Sequence, residues 1–173
     1  MLATFGSAAV DEFTDQGWVD VNGDGRDDRC ALVATRTSQG LEVEIITWSP
    51  TCTISTGTAW GASFAGGAVL PYAIFSGSVK WLDVDGDGQA DFCWLSTGGV
   101  PQCFLSTGTS FGTTLTGAAV SLSQTQGRDW VDFNGDGKID YCYVLNTNQV
   151  QCTINTGTAF SGTITSGALD LGV

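Results

Sequence analysis

Three stretches of the chain repeat one spacing of oxygen-bearing side chains. They are Asp20, Asn22, Asp24 and Asp28; Asp83, Asp85, Asp87 and Asp91; and Asp132, Asn134, Asp136 and Asp140. Each reads Asp-x-Asn/Asp-Gly-Asp-Gly-x-x-Asp. Acidic side chains on alternate residues of a tight loop aim their oxygens inward, and the glycines permit the sharp turn and the close backbone approach. Calcium is a hard cation that takes six to eight oxygens at about 2.3–2.6 Å, so this pattern suits it. The carbonyls of Arg26, Gln89 and Lys138 sit at the odd-numbered loop position that adds one more oxygen. With Asp27 included, eleven of the 18 acidic residues fall in these loops. Such clustering is costly unless a cation offsets it. The expectation is about three Ca2+ ions per chain, one in each loop.

Two rival readings fail. An EF-hand loop ends in a bidentate Glu at its twelfth position. The equivalent residues are Ala31, Trp94 and Tyr143, and strand-like runs flank the loops where an EF-hand has helices. Metal-free Asx-rich turns would account for one such loop. They do not account for three copies in register.

Six cysteines and no histidine accompany the loops. Cys93 and Cys103 flank Thr97-Gly98-Gly99, and Cys142 and Cys152 flank Asn146-Thr147-Asn148. Each pair is symmetric about a three-residue loop, directly opposite across a hairpin and within disulfide reach at a non-hydrogen-bonded site. Gly or Asn suits the left-handed position of that loop. Cys30 and Cys52 take the same repeat positions around a longer hairpin that holds TRTSQGLEVEIITWSP. The expected bridges are Cys30–Cys52, Cys93–Cys103 and Cys142–Cys152. They imply an oxidising compartment, and hence a secreted or extracellular protein. Without Cys-x-x-Cys pairs, structural zinc is not expected.

Catalytic chemistry is hard to assemble from what remains. Without histidine there is no Ser-His-Asp or Cys-His arrangement. The acids outside the loops are Asp11, Glu12, Asp15, Glu42, Glu44, Asp129 and Asp170. Glu42 and Glu44 alternate on one strand-like face and read as a solvated hairpin edge, not a glycosidase pair. The chain is expected not to be an enzyme.

The elements that position these groups follow from the repeat. WVDVNGDGRDDRC (Trp18–Cys30), WLDVDGDGQADFC (Trp81–Cys93) and WVDFNGDGKIDYC (Trp130–Cys142) are one motif. Each is followed by CTISTGTAWG, CFLSTGTSFG or CTINTGTAFS, starting at Cys52, Cys103 or Cys152. Every copy reads as four strands: a short one ending at Trp-x-Asp, one with each Cys, and one after the Ser/Asn-Thr-Gly-Thr turn. Gly-rich composition and the lack of helix-forming runs agree. Four antiparallel strands in about 50 residues suit a propeller blade. The fold expected is all-β, with blade 1 near residues 17–70, blade 2 near 79–120 and blade 3 near 128–169. Residues 1–10, containing ATFGSAAV, read as a surplus outer strand. Trp18, Trp81 and Trp130 are expected in the core or between blades, as are Trp60, Phe111 and Phe160. Trp48, Tyr72, Trp94 and Tyr143 are less regular; they read first as filling between blades, and where exposed as candidates for stacking on a sugar or anchoring a protein partner.

The three DxxGDGxxD loops and the pairs Phe5-Gly6, Trp60-Gly61 and Phe111-Gly112 resemble the FG-GAP repeats of integrin α-chain propellers. They also resemble the related VCBS repeats of bacterial secreted proteins. Phe160-Ser161 departs from the pair. The resemblance implies a calcium-stabilised β-propeller with structural loops and no enzyme activity. Some propellers of this kind are lectins, so it also implies a glycan or cell-surface ligand.

A net charge of -12 makes nucleic acid a poor partner. No segment is long and apolar enough to insert in a membrane. MLATFGSAAVDEF lacks the basic start and apolar core of a signal peptide, which points to a processed or shortened chain. Three blades do not comfortably close a ring. The expected partner is a second copy, most simply in a homodimer, or the remainder of a longer propeller.

Overall fold

The structure, a computed structural model, describes residues 13–38, 44–69, 73–122 and 125–168. The surplus strand expected at residues 1–10, the pair Phe5-Gly6, and Asp11, Glu12, Glu42, Tyr72 and Asp170 lie outside the described residues.

Among the described residues, twelve strands form three separate four-stranded antiparallel sheets, each in simple sequence order. Blade 1 holds β1 (Phe13–Val19), β2 (Asp28–Ser38), β3 (Glu44–Ser55) and β4 (Trp60–Ala65). Blade 2 holds β5 (Lys80–Leu82), β6 (Asp91–Leu95), β7 (Pro101–Ser106) and β8 (Phe111–Thr116). Blade 3 holds β9 (Thr125–Val131), β10 (Asp140–Leu145), β11 (Val150–Asn155) and β12 (Phe160–Thr165). The all-β, blade-like architecture expected from the repeat holds, and among the described residues the three sheets do not close into a ring. The first strand is short only in blade 2. In blades 1 and 3 it runs seven residues, through a bulge beside Asp15 (φ 48°) or Gly127 (φ 54°).

The middle hairpin of each blade is pinned by a disulfide across its register. Cys30 faces Cys52, Cys93 faces Cys103 and Cys142 faces Cys152, with Cα atoms 4.1 Å apart in each pair. Direct opposition in the antiparallel register is what brings each pair of sulfurs within bridging reach. The three-residue hairpin loops close as their sequences require. Gly99 (φ 79°) and Asn148 (φ 57°) take the left-handed position, and each donates its amide to the residue that begins the turn, Ser96 or Leu145.

The hydrophobic core lies between blades as well as within them. One cluster joins Val84, Leu115 and the Cys93–Cys103 bridge of blade 2 to Trp130, Tyr141 and Phe160 of blade 3. Another joins Val21 and the Cys30–Cys52 bridge of blade 1 to Trp81 and Phe111 of blade 2. Blades therefore stack in sequence order, the first and fourth strands of blades 2 and 3 presenting aromatic rings to the blade before them.

Candidate metal centre

Each aspartate loop joins the first strand of a blade to its second, and its backbone is held by its own carboxylates. The Asp20 carboxylate accepts the amides of Gly23 (2.7 Å), Asp24 (3.0 Å) and Gly25 (2.6 Å). Asp83 accepts those of Gly86, Asp87 and Gly88, and Asp132 those of Gly135, Asp136 and Gly137. Both glycines of every loop have positive φ, between 75° and 86°, which is why they are glycine. The third residue accepts the amide of the fifth, and the fifth that of the seventh, in all three copies.

The ninth residue has a different task. Asp28, Asp91 and Asp140 are buried, and each ties two distant backbone amides together. Asp28 accepts from Val21 and Ser55, Asp91 from Val84 and Ser106, and Asp140 from Phe133 and Asn155. One oxygen thus holds the loop and the other the end of the blade's third strand. Buried carboxylates need such donors, because an ionised group out of water is otherwise too costly.

The side chains at positions three and seven separate the loops. In the first, Asn22 donates to Asp24 (3.1 Å) and the Arg26 guanidinium pairs with the same carboxylate. In the third, Asn134 donates to Asp136 (3.2 Å) and Lys138 lies 3.7 Å from it. The second loop has Asp85 and Gln89 there, so four carboxylates face no cation of their own loop. Asp83, Asp85 and Asp91 each place one oxygen within 4.8 Å of the others. Gln89 donates its amide group to Asp87 (2.9 Å). Burial pushes the Asp91 carboxyl up to about 7; the Ser106 and Val84 amides oppose this and the Asp85 and Asp87 charges add to it. Asp85 is raised too, by partial burial and then by Asp87. Asp136, by contrast, is held below the usual carboxylate range, first by the Lys138 amide.

These donors fit a hard cation. All are oxygens, and an ionised carboxylate offers about four lone-pair sites. Three amides on Asp83 leave it one, two on Asp91 leave it two, and one on Asp85 leaves it three.

The loops also stitch the blades together. Ala90 in the second loop donates its amide to the Asp20 carbonyl (2.8 Å), and Ile139 in the third donates to that of Val84 (3.0 Å). The first residue of the Ser/Asn-Thr-Gly-Thr turn adds a side-chain bond across the same boundary. Ser106 donates to the Val21 carbonyl (2.6 Å), and Asn155 to that of Val84 (2.7 Å). From sequence this residue signals only a turn; its repetition in the motif was the sole hint of a larger role.

The candidate ligand aromatics are placed unevenly. Trp94 and Tyr143 are buried, and Trp48 is half-buried. Trp81, Trp130, Phe111 and Phe160 pack between blades as expected, whereas Trp18 and Trp60 are exposed. Of the acids outside the loops, Asp129 lies 3.6 Å from Lys80. The Asp15 carbonyl accepts the Trp81 indole (2.7 Å), and Glu44 pairs with Ser38 along the blade 1 hairpin. Clefts follow the blade boundaries. One of about 190 Å³ is lined by Phe75, Lys80, Arg128, Asp129 and Trp130, and one of about 360 Å³ by Asp15, Leu32, Trp48 and Ile74.

No curated protein matches the chain. A family model does: residues 83–143, which run from the second aspartate loop through blade 2 and the third loop to β10, match the FG-GAP-like repeat. The resemblance that the aspartate loops carry is therefore shown over residues 83–143, within a chain folded as propeller-type blades.

Proposed function

We propose that the chain is a secreted, non-catalytic, propeller-type binding module stabilised by calcium. The supporting observation is the meeting of Asp83, Asp85 and Asp91 oxygens within 4.8 Å in a loop without a cation of its own. A bound Ca2+ supplies the charge that offsets them. The residues that would hold it are Asp83, Asp85, Asp87, Asp91 and the Gln89 carbonyl, with their counterparts in the other two loops. Because these loops also stitch neighbouring blades, metal bound there acts on the blade stack as well as on one turn. Binding to the native state alone raises stability by RT ln(1 + [L]/Kd), about 2.7 kcal/mol at a hundredfold excess over Kd. Thermal melts in calcium and in excess chelator should differ by many degrees. Coincident melts, with no metal by elemental analysis, reject the reading. The ligand class we favour is a glycan, taken up along the blade boundaries, and a glycan array in calcium tests it.

A second reading, a unit that completes its propeller by self-association, is favoured by the exposure of Trp18 and Trp60, whose counterparts are half-buried in blade 2 and buried in blade 3.

A further inference from the structure

Every junction between blades uses the same parts. On the receiving side, blade 1 offers Val19, Val21 and Phe64 to Trp81 and Phe111, and blade 2 offers Leu82, Val84 and Leu115 to Trp130 and Phe160. On the inserting side, an aromatic pair stands on the first and fourth strands. The ring centroids are 6.3 Å apart for Trp81 and Phe111, and 5.6 Å for Trp130 and Phe160. The indole of the inserting Trp donates to a backbone carbonyl in the blade before it: Trp81 to Asp15 (2.7 Å), Trp130 to Ser78 (3.3 Å). Asp15 and Ser78 each stand three residues before the Trp of their own blade.

Among the described residues, both halves of this junction also occur unpaired. Blade 1 carries the inserting pair, Trp18 and Trp60, with centroids 5.8 Å apart and exposures of 61% and 55%. The same positions are half-buried in blade 2, and in blade 3 they are 8% and 2% exposed. Blade 3 carries the receiving side. Val131, Phe133 and Ile164 are 38%, 47% and 45% exposed, whereas the counterparts of the last two, Val84 and Leu115, are fully buried in blade 2. Large apolar side chains left clustered in water on two opposite faces mark interaction surfaces.

We infer that these faces bind each other between two copies of the chain, head to tail, with Trp18 and Trp60 of one copy seated on Val131, Phe133 and Ile164 of the other. The inference rests on the self-association reading and assigns its surface. The occupant follows from continuity with the two junctions already present. The carbonyl equivalent to those of Asp15 and Ser78 belongs to Gly127, three residues before Trp130, and it is placed to accept the Trp18 indole. The carbonyl equivalent to those of Val21 and Val84 belongs to Phe133. Ser55 holds the position from which Ser106 and Asn155 bond such carbonyls, and it already holds the Gly57 amide as Ser106 holds that of Gly108. One position differs: Gly66 and Gly117, which let Phe111 and Phe160 approach, are answered in blade 3 by Ser166. The contact is heterologous, unlike residues meeting, and two such contacts join two copies into a six-bladed ring.

Complementation between two variants tests this. Trp60→Arg breaks the inserting face, and Phe133→Arg breaks the receiving one. Both residues are exposed, so the variants should keep their far-ultraviolet circular dichroism. Light scattering in calcium should show a wild-type dimer and, for each variant alone, association weakened about 30-fold or more, as for a buried aromatic anchor. Mixing the two restores one intact contact and should recover a mixed dimer. A dimer that neither variant weakens, or variants that weaken it without rescuing each other, overturns the head-to-tail assignment while leaving self-association in place. A folded wild-type monomer at tens of micromolar overturns both. If a dimer appears only after residues 1–10 are removed, or if sugar protects the Trp18–Trp60 fluorescence in a monomer, the face belongs to another occupant and the inference fails.

Discussion

The second aspartate loop and the third have nearly the same backbone and opposite electrostatics. Both cap their amides through the first, third and fifth side chains, and both place two glycines at positive φ. In the third loop, Asn134 and Lys138 lean on Asp136, whose carboxyl is held low by the Lys138 amide first. In the second, Asp85 and Gln89 take those places, and Asp85 and Asp91 are pushed up, chiefly by burial. The second loop is also covered, because the third packs against it: Ile139 reaches the Val84 carbonyl, and the Gly137 carbonyl lies over Gly86. Backbone geometry and charge demand are thus separable. The turn folds by its own hydrogen bonds, and how far its carboxylates go unbalanced depends on two side chains and on the neighbour.

The largest effect expected from this comparison is at the ninth position. Asp91→Ala leaves the Val84 and Ser106 amides without their acceptor in a buried place, at a cost of about 3 kcal/mol or more. Asp140→Ala orphans the buried Asn155 amide in the same way, but it leaves the Phe133 amide in a half-open loop that water reaches, so it should cost less. Urea denaturation in chelator measures both, and equal costs would break the comparison.

Next comes a pair of glycines. A Cβ on Gly86 would stand 2.6 Å from the Gly137 carbonyl oxygen, whereas one on Gly135 meets nothing within 4 Å. Both changes to Ala carry the left-handed penalty of about 1–2 kcal/mol. Gly86→Ala should lose roughly a further 1–3 kcal/mol to the clash, read as a lower urea midpoint than that of Gly135→Ala.

Asp85→Asn gives the second loop the third residue of the other two. Calcium affinity is tuned by ligand charge, so the tightest site seen by calorimetry should weaken about tenfold, or roughly 1.4 kcal/mol. The metal-free protein should lose no stability. An unchanged isotherm would show that the sites do not differ through this residue.

The smallest effect is expected from Lys138→Gln, which gives the third loop the second's uncharged seventh residue. The Lys138–Asp136 pair is partly exposed, and such pairs contribute about 0–1 kcal/mol. Calcium binding in that loop should tighten by no more than about fivefold.

What was legible beforehand was whatever closes over a short stretch of chain. The loop motif, the hairpin turns at Gly99 and Asn148, and the pairing Cys142–Cys152 all follow from spacing, because each is made by residues that meet through one turn. The four-strand repeat was legible for the same reason. The split role of the ninth aspartate was not. In the motif Asp91 looks like one more ligand, and only the return of β7 brings the Ser106 amide onto its second oxygen. The stitching by Ser106 and Asn155 was hidden likewise, since the carbonyls they bond lie 85 and 71 residues away.

The sequence by itself determined the chemistry of the loops, the partners of the cysteines and the repeating blade. Hydrogen bonds and disulfides between near neighbours depend on local residue type and spacing alone. Only the tertiary structure decided which copies of an identical residue are buried. Trp18 and Trp130 occupy the same place in the same motif, yet one stands in water and the other lies under blade 2. Burial belongs to the neighbour that covers a residue, and no repeat unit encodes its neighbour within itself.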